Sequence, residues 1–319
     1  MRYVVYGAGA VGGVIGGQLH RAGLGVTLVA RGEHLRRLRA EGLVLDTHAG
    51  RYVVAAPATD KASEVEWTED TVVLLTVKSQ QTSAALDDLT AAAPPDIVVV
   101  AAQNGVANER EVLRRFARGY AITVMLPATH LEPGVVVQKS HPTPGILDIG
   151  AVPSGTDELT DAVSADLRAA GFESVPRADI MAWKHRKLLM NLGNGVDAVC
   201  VPGESANALQ RRARDEGEAV LAAAGFPVTS AEADRERRGD ILQTRPDSPP
   251  RGGSTWQSIT RQTGSVEIDY LAGEVVLLGR LHGVPTPANA LIQRVVHDVV
   301  RNGTPARTLD AADLLKMLD

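Results

Sequence analysis

The chain has 319 residues, of which 44% are hydrophobic and 22% are charged, and its formal net charge is −5. The length fits two domains better than one core, and the charge balance excludes an electrostatic footprint for nucleic acid or an anionic membrane. A single cysteine, Cys200, excludes an intrachain disulfide and indicates a reducing cytoplasm.

The first half of the chain alternates short β-rich runs with helical stretches. The pattern predicts strands at 2–6, 26–29, 72–77 and 97–101, and helices at 10–21, 33–40 and 156–170. The runs at 72–77 and 97–101 are continuously apolar, as in central strands that are buried on both faces of a parallel sheet. We therefore predict an α/β fold, with an N-terminal doubly wound domain of Rossmann type over residues 1–177.

From about residue 178 the hydrophobic period becomes helical, which predicts a mainly α-helical C-terminal domain over residues 178–319. Helices are expected at 181–197 and 204–224, and a third begins after Thr286-Pro287, which is typical of an N-cap followed by proline. The basic run Arg235–Arg238 is interpreted as a solvated helix face.

The helix predicted at 181–197 carries an unusual polar stripe. At about 100° per residue, Lys184, Lys187, Asn191 and Asn194 share one face, and leucines occupy the opposite face. Polar helix stripes usually face water, and this alternative stays open on the helix alone. However, a plain solvent face would more naturally use Glu, Arg or Gln than Asn, which is a middling-to-poor helix former.

A glycine motif follows the first predicted strand and opens the first helix. It matches G-x-G-x-x-G and consists of Gly7, Ala8, Gly9, Ala10, Val11 and Gly12. In such motifs the glycines permit a tight turn, close approach to a pyrophosphate and close helix packing, and the helix N-terminus favours phosphate. The alternative is a glycine turn without a ligand, but the strand-turn-helix context favours a dinucleotide site.

The end of the second strand indicates which dinucleotide is bound. NAD sites usually place Asp or Glu there, about 20 residues after the glycines, whereas this chain reads Val29-Ala30-Arg31. Arg31 is suited to pair with a 2′-phosphate, so we predict NADP(H) as the cofactor. Its alternative role is to cap or solvate the loop.

Five segments in this order resemble the ketopantoate reductase (2-dehydropantoate 2-reductase) family. They are GAGAVG at 7–12, VKSQQ at 77–81, QNG at 103–105, KLLMN at 187–191 and EIDYLAG at 267–273. The resemblance implies a Rossmann domain, a helical C-terminal domain and an active site in the cleft between them. It also implies NADPH-dependent reduction of a 2-oxo acid to a 2-hydroxy acid, as in the conversion of ketopantoate to pantoate in pantothenate biosynthesis.

The resemblance also implies roles for individual residues. Lys187 matches the catalytic lysine, and Glu267 matches the glutamate that pairs with lysine, substrate and cofactor. The implied substrate-binding residues are Asn104, Asn191, Asn194 and Ser254. Besides the glycine motif, the implied cofactor-binding residues are Arg31, Lys78, Gln81, Asn104 and Glu267. No metal is expected, and a homodimer is compatible with the sequence.

The chain departs from the family pattern at three places. The family's second asparagine, eight residues after the lysine, is Gly195 here, and Asn194 precedes it. The spacing from Ser254 to the glutamate is one residue longer, and Lys184 competes with Lys187 for the catalytic position. A relative that acts on another carbonyl or imine, or a catalytically silent NADP-binding sensor, therefore stays as an alternative.

Overall fold

The computed structural model describes residues 1–246, 252–262 and 264–318. Within these residues the strands are β1 Arg2–Tyr6, β2 Gly25–Val29, β3 Leu43–Thr47, β4 Gly50–Val54, β5 Ala58–Thr59, β6 Thr71–Leu75, β7 Val98–Ala101, β8 Arg118–Met125, β9 Ala128–Thr129, β10 Val135–Gln138, β11 Ser140–Pro142, β12 Ile146–Ala151 and β13 Leu242–Thr244. The helices are α1 Ala10–Arg21, α2 Gly32–Glu41, α3 Thr82–Ala92, α4 Asn108–Leu113, α5 Glu158–Ala169, α6 Ile180–Asn191, α7 Gly193–Val199, α8 Glu204–Ala223, α9 Ala231–Arg238, α10 Ser254–Thr260, α11 Ala272–His282, α12 Pro287–Asn302 and α13 Ala311–Lys316.

The main sheet has seven strands in the order β12-β8-β7-β6-β1-β2-β5. All neighbouring pairs run parallel except β12 and β8, which are antiparallel at one edge. β1 pairs with both β2 and β6, so the strand order reverses at β1, as in a Rossmann sheet. The predicted α/β class with a Rossmann-type N-terminal domain and a helical C-terminal region is confirmed.

Both faces of the central strands are buried, which explains their continuously apolar sequence. Every residue of β6 and β7 is buried, and successive side chains enter separate clusters on the two faces of the sheet. In β1, Tyr3 and Val5 join one cluster, and Val4 and Tyr6 join the other. This alternation follows from the two-residue repeat of a strand.

A second sheet, in the order β4-β3-β10-β9, was not anticipated from the sequence. Its β3–β4 hairpin turns between Thr47 and Gly50, and β10 pairs parallel to β3. Leu43 and Leu45 of β3 are completely buried in the same core cluster as α1. A tight turn precedes β10, with Gly134 at φ +84 and a Val135 N–H to Glu132 C=O bond of 3.2 Å.

The prediction of one helix over 181–197 is wrong in one respect. The helix is interrupted at Leu192, between α6 and α7. Gly193 and Gly195 follow directly, and glycine costs a helix interior about 1 kcal/mol relative to alanine.

The chain divides into two compact units, and each unit contains several separate segments of the sequence. The first comprises Met1–Asn104, Asn108–Met181 and the segment that begins at Glu232, and the second comprises Gly105–Ala107, Ala182–Ala231 and the C-terminal part of the chain. The boundary expected at 177/178 stays a prediction.

The interpretation of the basic run at 235–238 as a solvated helix face holds for Arg235 and Glu236, which are exposed, but it is wrong for Arg237 and Arg238, which are half-buried. Arg237 donates from Nε and Nη2 to the buried carboxylate of Asp148 at 3.0 and 2.8 Å, and Arg238 binds Asp234 one turn earlier on α9. Asp148 also accepts from Arg177 at 3.1 Å. A buried carboxylate requires such partners, and they fix the segment beginning at Glu232 to the first unit.

The amino end of α12 begins as predicted at Pro287, but its cap differs from the expected one. The Thr286 side chain makes no capping hydrogen bond among the described contacts. Instead Glu216 of α8 accepts from the N–H groups of Ala288 and Asn289 at 2.7 and 2.9 Å. Cys200 is buried, and burial raises the pKa of its thiol to about 11. Among the described residues no helix is long and apolar enough to cross a membrane.

Candidate active site

The glycine loop lies at the carboxyl end of β1, and two of its glycines are sterically required. Gly7 has φ +115, and a Cβ there would lie 2.7 Å from the Val77 nitrogen. A Cβ on Gly12 would lie 2.3 Å from the Gly7 carbonyl oxygen and 2.4 Å from Thr76 Oγ1. The loop therefore packs directly against the backbone that follows β6, and side chains at these positions would separate the two.

The loop fits the pyrophosphate of a dinucleotide. A Cβ on Gly9 would meet no described heavy atom within 4 Å, so the backbone is open on that side. Gly9 is the N-cap of α1, and no side chain caps this end among the described contacts. The first N–H groups of a helix have no intrahelical acceptor and favour an anion. Open space and an uncapped helix end thus coincide at Gly9.

His34 supports this loop and was missed by sequence reasoning. Its Nδ1 accepts from the Gly134 N–H at 2.9 Å, so the proton is on Nε2, which donates to the Ala8 carbonyl oxygen at 2.7 Å. Its imidazole also packs against that of His130, with ring centroids 4.3 Å apart. A histidine inside a helix gives no sequence signal for such long-range contacts.

Arg31 is exposed and occupies the N-cap position of α2, directly after β2. Its positive charge acts on the hydroxyl of Tyr6 at the end of β1. Burial and the hydrogen bond to Asp88 raise the pKa of Tyr6 above its ordinary value, and Arg31 opposes this rise. Arg31 therefore lies near the ends of both β1 and β2, on the same edge of the sheet as the glycine loop.

Lys78 and Asn104 follow the next two parallel strands, β6 and β7. Both are half-buried, whereas Gln81 is exposed at the end of a short 3-10 helix over 79–81. The Gln103 side chain donates from Nε2 to the Val77 carbonyl oxygen at 2.7 Å, which ties the two segments together. The first unit thus brings the glycine loop, Arg31, Lys78 and Asn104 to the carboxyl edge of one parallel sheet, where such sheets bind ligands.

In the second unit, the polar stripe of α6 and α7 is sheltered from solvent. Lys184 and Asn191 are 3% and 6% exposed, and Lys187 and Asn194 are half-buried. The alternative that this stripe simply faces water is therefore wrong. The opposite face packs as expected, because Leu188, Leu189, Leu192 and Val196 are all buried.

The loop after α8 holds α6 from the side. His185 Nδ1 lies 2.8 Å from the Pro227 carbonyl oxygen, and its ring stacks on Phe226 at 5.0 Å between centroids. Arg186 Nε donates to the Thr229 carbonyl oxygen at 2.6 Å. These residues position the helix that carries Lys187, and only their polar character was visible in the sequence.

Two other predicted residues of this unit, Asn194 and Ser254, lie at or beside helix α7. The side chain of Asn194 lies beside Gly253, since a Cβ there would be 3.3 Å from Asn194 Oδ1. Ser254 follows immediately as the half-buried first residue of α10. The structure therefore brings Asn194 to the backbone that carries Ser254.

Gly195 packs closely on the other side of α7. A Cβ at this position would lie 2.7 Å from Ile292 Cγ2 and 3.0 Å from Ile268 Cδ1. Ile268 follows Glu267, which is 8% exposed and opens a 3-10 helix over Glu267–Tyr270. Close packing thus explains why this chain has glycine at residue 195, and it fixes the turn that carries Glu267 against α7.

Comparison with known proteins places these two halves in one family. The model of the family described as "Ketopantoate reductase PanE/ApbA" matches residues 3–154, and the model of its C-terminal region matches residues 179–300. The 2-dehydropantoate 2-reductase of Pyrococcus horikoshii is 26% identical over 306 residues, which is 93% of this chain and 96% of that protein. The Halobacterium salinarum enzyme of the same name is 29% identical and covers 94% and 98% of the two chains.

Solved structures show the same architecture. A PanE/ApbA family ketopantoate reductase from Ralstonia eutropha has a TM-score of 0.81 and 29% identity, and the match covers 95% of this chain and 99% of that one. D-mandelate dehydrogenase, solved with NADH and anilino(oxo)acetate, also has a TM-score of 0.81, at 22% identity, with 96% and 100% of the chains covered. The protein described here therefore belongs to the ketopantoate reductase family of nicotinamide-dependent oxidoreductases.

Proposed function

We propose that this chain is an NADPH-dependent reductase that converts a 2-oxo acid to a 2-hydroxy acid. The observation that carries the proposal is the sheltered polar stripe of α6 and α7. The Lys187 ammonium and the Asn194 carboxamide on it are half-buried, and the Asn191 carboxamide is buried. These groups suit a small anionic substrate with a carbonyl oxygen, because ammonium and carboxamide N–H groups donate hydrogen bonds to both of its polar ends.

The cofactor is proposed to be NADPH rather than NADH. The glycine loop and the uncapped end of α1 would hold the pyrophosphate. The residue at the end of β2 is exposed Arg31 instead of a carboxylate, and a guanidinium forms charge-assisted bonds with a phosphate. Lys78, Gln81 and Asn104 supply further polar groups at the same edge of the sheet.

Lys187 is the proposed proton donor. When bound, NADPH supplies the hydride, and negative charge then develops on the substrate's carbonyl oxygen. The Lys187 ammonium stabilises that charge and donates a proton from Nζ to the oxygen. Lysine suits this role because burial and neighbouring charge shift its pKa readily.

The remaining residues are proposed to orient the reacting groups. Asn191, one turn after Lys187, binds the carbonyl or carboxylate of the substrate, and Asn194 and Ser254 bind its other end. Glu267 holds the ammonium of Lys187 and accepts a hydrogen bond from cofactor or substrate. Its burial at 8% exposure keeps the carboxylate away from competing water.

The identity of the 2-oxo acid depends on the region around Gly195. The Cβ position at residue 195 is filled by Ile292 and Ile268, so an asparagine does not fit there without movement. We therefore propose a 2-oxo acid other than ketopantoate as the preferred substrate. D-mandelate dehydrogenase, which has this fold, was solved with NADH and anilino(oxo)acetate, so 2-oxo acids that carry a bulky ring are the first alternatives to test.

A substrate screen tests this function. The purified chain would be mixed with NADPH, and separately with NADH, and with ketopantoate and a graded series of bulkier 2-oxo acids. Consumption of reduced cofactor and the 2-hydroxy acid product would both be measured. We expect one 2-oxo acid to be reduced at a kcat/KM of at least about 10⁴ M⁻¹s⁻¹ with NADPH. Cofactor binding without turnover of any 2-oxo acid would instead favour the silent sensor.

A further inference from the structure

A buried hydrogen-bond network joins the segment after β6 to the segment after β7. Its centre is Asn108, the first residue of α4, which is 1% exposed. Asn108 Nδ2 donates to Ser79 Oγ at 3.1 Å and to the Asn104 carbonyl oxygen at 3.1 Å. Its Oδ1 accepts from Thr82 Oγ1 at 2.8 Å. One side chain thus contacts three points on two separate segments.

A second amide extends the network toward the glycine loop. Gln103 Nε2 donates to Thr82 Oγ1 at 2.8 Å and to the Val77 carbonyl oxygen at 2.7 Å. The Thr82 hydroxyl therefore accepts from Gln103 and donates to Asn108, which fixes the direction of the chain of bonds. All of these residues belong to the first unit. Gln103, Thr82 and Asn108 are each at most 4% exposed.

The ends of the network are the residues that carry proposed functional side chains. Lys78 is the N-cap of the short helix that begins at Ser79, and its carbonyl accepts from the Gln81 N–H at 2.7 Å. Asn104 is held through its backbone carbonyl, which accepts from Asn108 Nδ2. Lys78 and Asn104 are half-buried, whereas the side chains that fix their backbone are buried.

We propose that Asn108 is a positioning residue that sets the distance between Lys78 and Asn104, with the Thr82 hydroxyl as its necessary partner. This inference rests on the proposed roles of Lys78 and Asn104 at the cofactor. A carboxamide is required because it donates twice and accepts once at this position, and neither a carboxylate nor an apolar side chain does so. A displacement of about 1 Å in a reacting group can cost 10²-fold in rate, so a small shift of either segment is measurable.

The test compares Asn108→Ala with two substitutions at Thr82. Thr82→Ser keeps the hydroxyl, and Thr82→Val keeps the shape but removes the hydroxyl. We expect Asn108→Ala to weaken NADPH binding about 10-fold and to lower kcat/KM about 10²-fold. Thr82→Val should show a smaller loss of the same kind, and Thr82→Ser should behave like the unaltered protein. Binding is measured by fluorescence titration with NADPH alone.

Asn289→Ala is the matched control for a loss of stability. Asn289 is also completely buried and donates to the Ala213 carbonyl oxygen at 2.9 Å, but it belongs to the second unit. We expect this control to lower the melting temperature without changing NADPH affinity or kcat. The inference is overturned if Asn108→Ala and Thr82→Val only lower the melting temperature, as Asn289→Ala does.

The titration separates this inference from the proposed function. If the unaltered chain reduces no 2-oxo acid, the proposed function fails. The positioning role of Asn108 is then tested by NADPH affinity alone. Equal affinity in Asn108→Ala, Thr82→Val and the unaltered chain would then reject the inference. Weaker NADPH binding in Asn108→Ala and Thr82→Val, together with unchanged binding in Thr82→Ser, would support the inference.

Discussion

The sharpest test of the proposed chemistry compares the substitution Lys187→Ala with Lys184→Ala. The two lysines lie one turn apart on α6, and sequence spacing alone does not fully separate their roles. Their environments differ, because Lys184 is 3% exposed and Lys187 is half-buried. The pair is therefore a matched comparison of a packed lysine with one that is accessible to a small ligand.

The expected magnitudes follow from these environments. A positioned acid contributes about 10²–10⁴-fold to rate, so Lys187→Ala should lower kcat by about that factor. This loss corresponds to about 2.7–5.4 kcal/mol of transition-state stabilisation, at about 1.36 kcal/mol per tenfold change. Its effect on stability should be small, since the buried leucines lie on the other face of the helix. Lys184→Ala removes a buried side chain and should cost about 0.5–3 kcal/mol of unfolding free energy.

The assay measures kcat, KM and urea denaturation for Lys187→Ala, Lys184→Ala and Asn191→Ala, at a temperature well below every melting transition. Lys184→Ala should keep kcat within about fivefold of the unaltered protein, because its loss is one of packing. Asn191→Ala should fall between the two lysines, because it displaces the substrate carbonyl without removing the proton donor.

Two results would refute this reasoning. If Lys187→Ala keeps full kcat with the best substrate, Lys187 is not the proton donor. If kcat falls in Lys184→Ala and not in Lys187→Ala, at equal folded fraction, the catalytic position is one turn earlier on α6. NADPH affinity should stay unchanged in Lys187→Ala, and its loss would show that this residue acts on the cofactor.

Three further predictions concern other parts of the chain. Arg31→Ala should weaken NADPH binding about 10–100-fold, as expected for lost charge-assisted bonds, and leave NADH binding unchanged in parallel titrations. Gly195→Asn should lower the unfolding free energy by about 1–3 kcal/mol in urea denaturation, since its Cβ would lie 2.7 Å from Ile292 Cγ2. Asp157→Ala should cost about 1 kcal/mol at neutral pH, because Asp157 caps α5 through the Thr160 N–H at 2.9 Å.

The cost of Asp157→Ala should depend on pH in a defined direction. Partial burial opposes the charge of Asp157, but hydrogen bonds from Tyr120 and Thr160 outweigh it and hold the pKa of the carboxyl below its ordinary value. A lowered pKa contributes stability above the unfolded pKa, and this contribution disappears as pH falls through the folded value. The stability difference should therefore shrink in acid, and a constant difference would contradict the assignment.

The other two predictions have equally direct contradictions. Equal losses of NADPH and NADH affinity in Arg31→Ala would show that this residue does not bind the 2′-phosphate. Full stability of Gly195→Asn would show that α7 can move against Ile292 and Ile268 at little cost.

Much of the Rossmann sheet was predictable because its signals are local. Strands such as β6 and β7 are buried on both faces and consist of uninterrupted apolar residues. The glycine loop was predictable because the G-x-G-x-x-G spacing lies within one strand-turn-helix unit, whereas the contacts of Gly7 and Gly12 with Val77 and Thr76 after β6 were not visible in the sequence. By contrast, β3 and β4 form a half-exposed hairpin with a weaker alternating pattern, and their partner β10 is distant in sequence.

What local patterns missed were long-range pairs of polar groups. Local sequence predicts a surface residue at Arg237, because nothing near it in the sequence reveals Asp148, its buried partner. The local sequence at Thr286 predicts a hydroxyl cap for α12. The oxygen that accepts from the helix N–H group instead belongs to Glu216 on another helix. Asn108 and His34 act in the same way, through contacts across the sheet edge that no helical or strand period encodes.

The most direct test of the central claim is a transfer experiment with NADPH that carries deuterium at the transferable position of its nicotinamide ring. The chain would be incubated with this cofactor and the best 2-oxo acid from the screen, and the product examined by mass spectrometry and NMR. We predict one deuterium on the carbinol carbon of the 2-hydroxy acid. A product without deuterium at that carbon, or unchanged 2-oxo acid in the presence of bound NADPH, would contradict the assignment of this chain as a 2-oxo acid reductase.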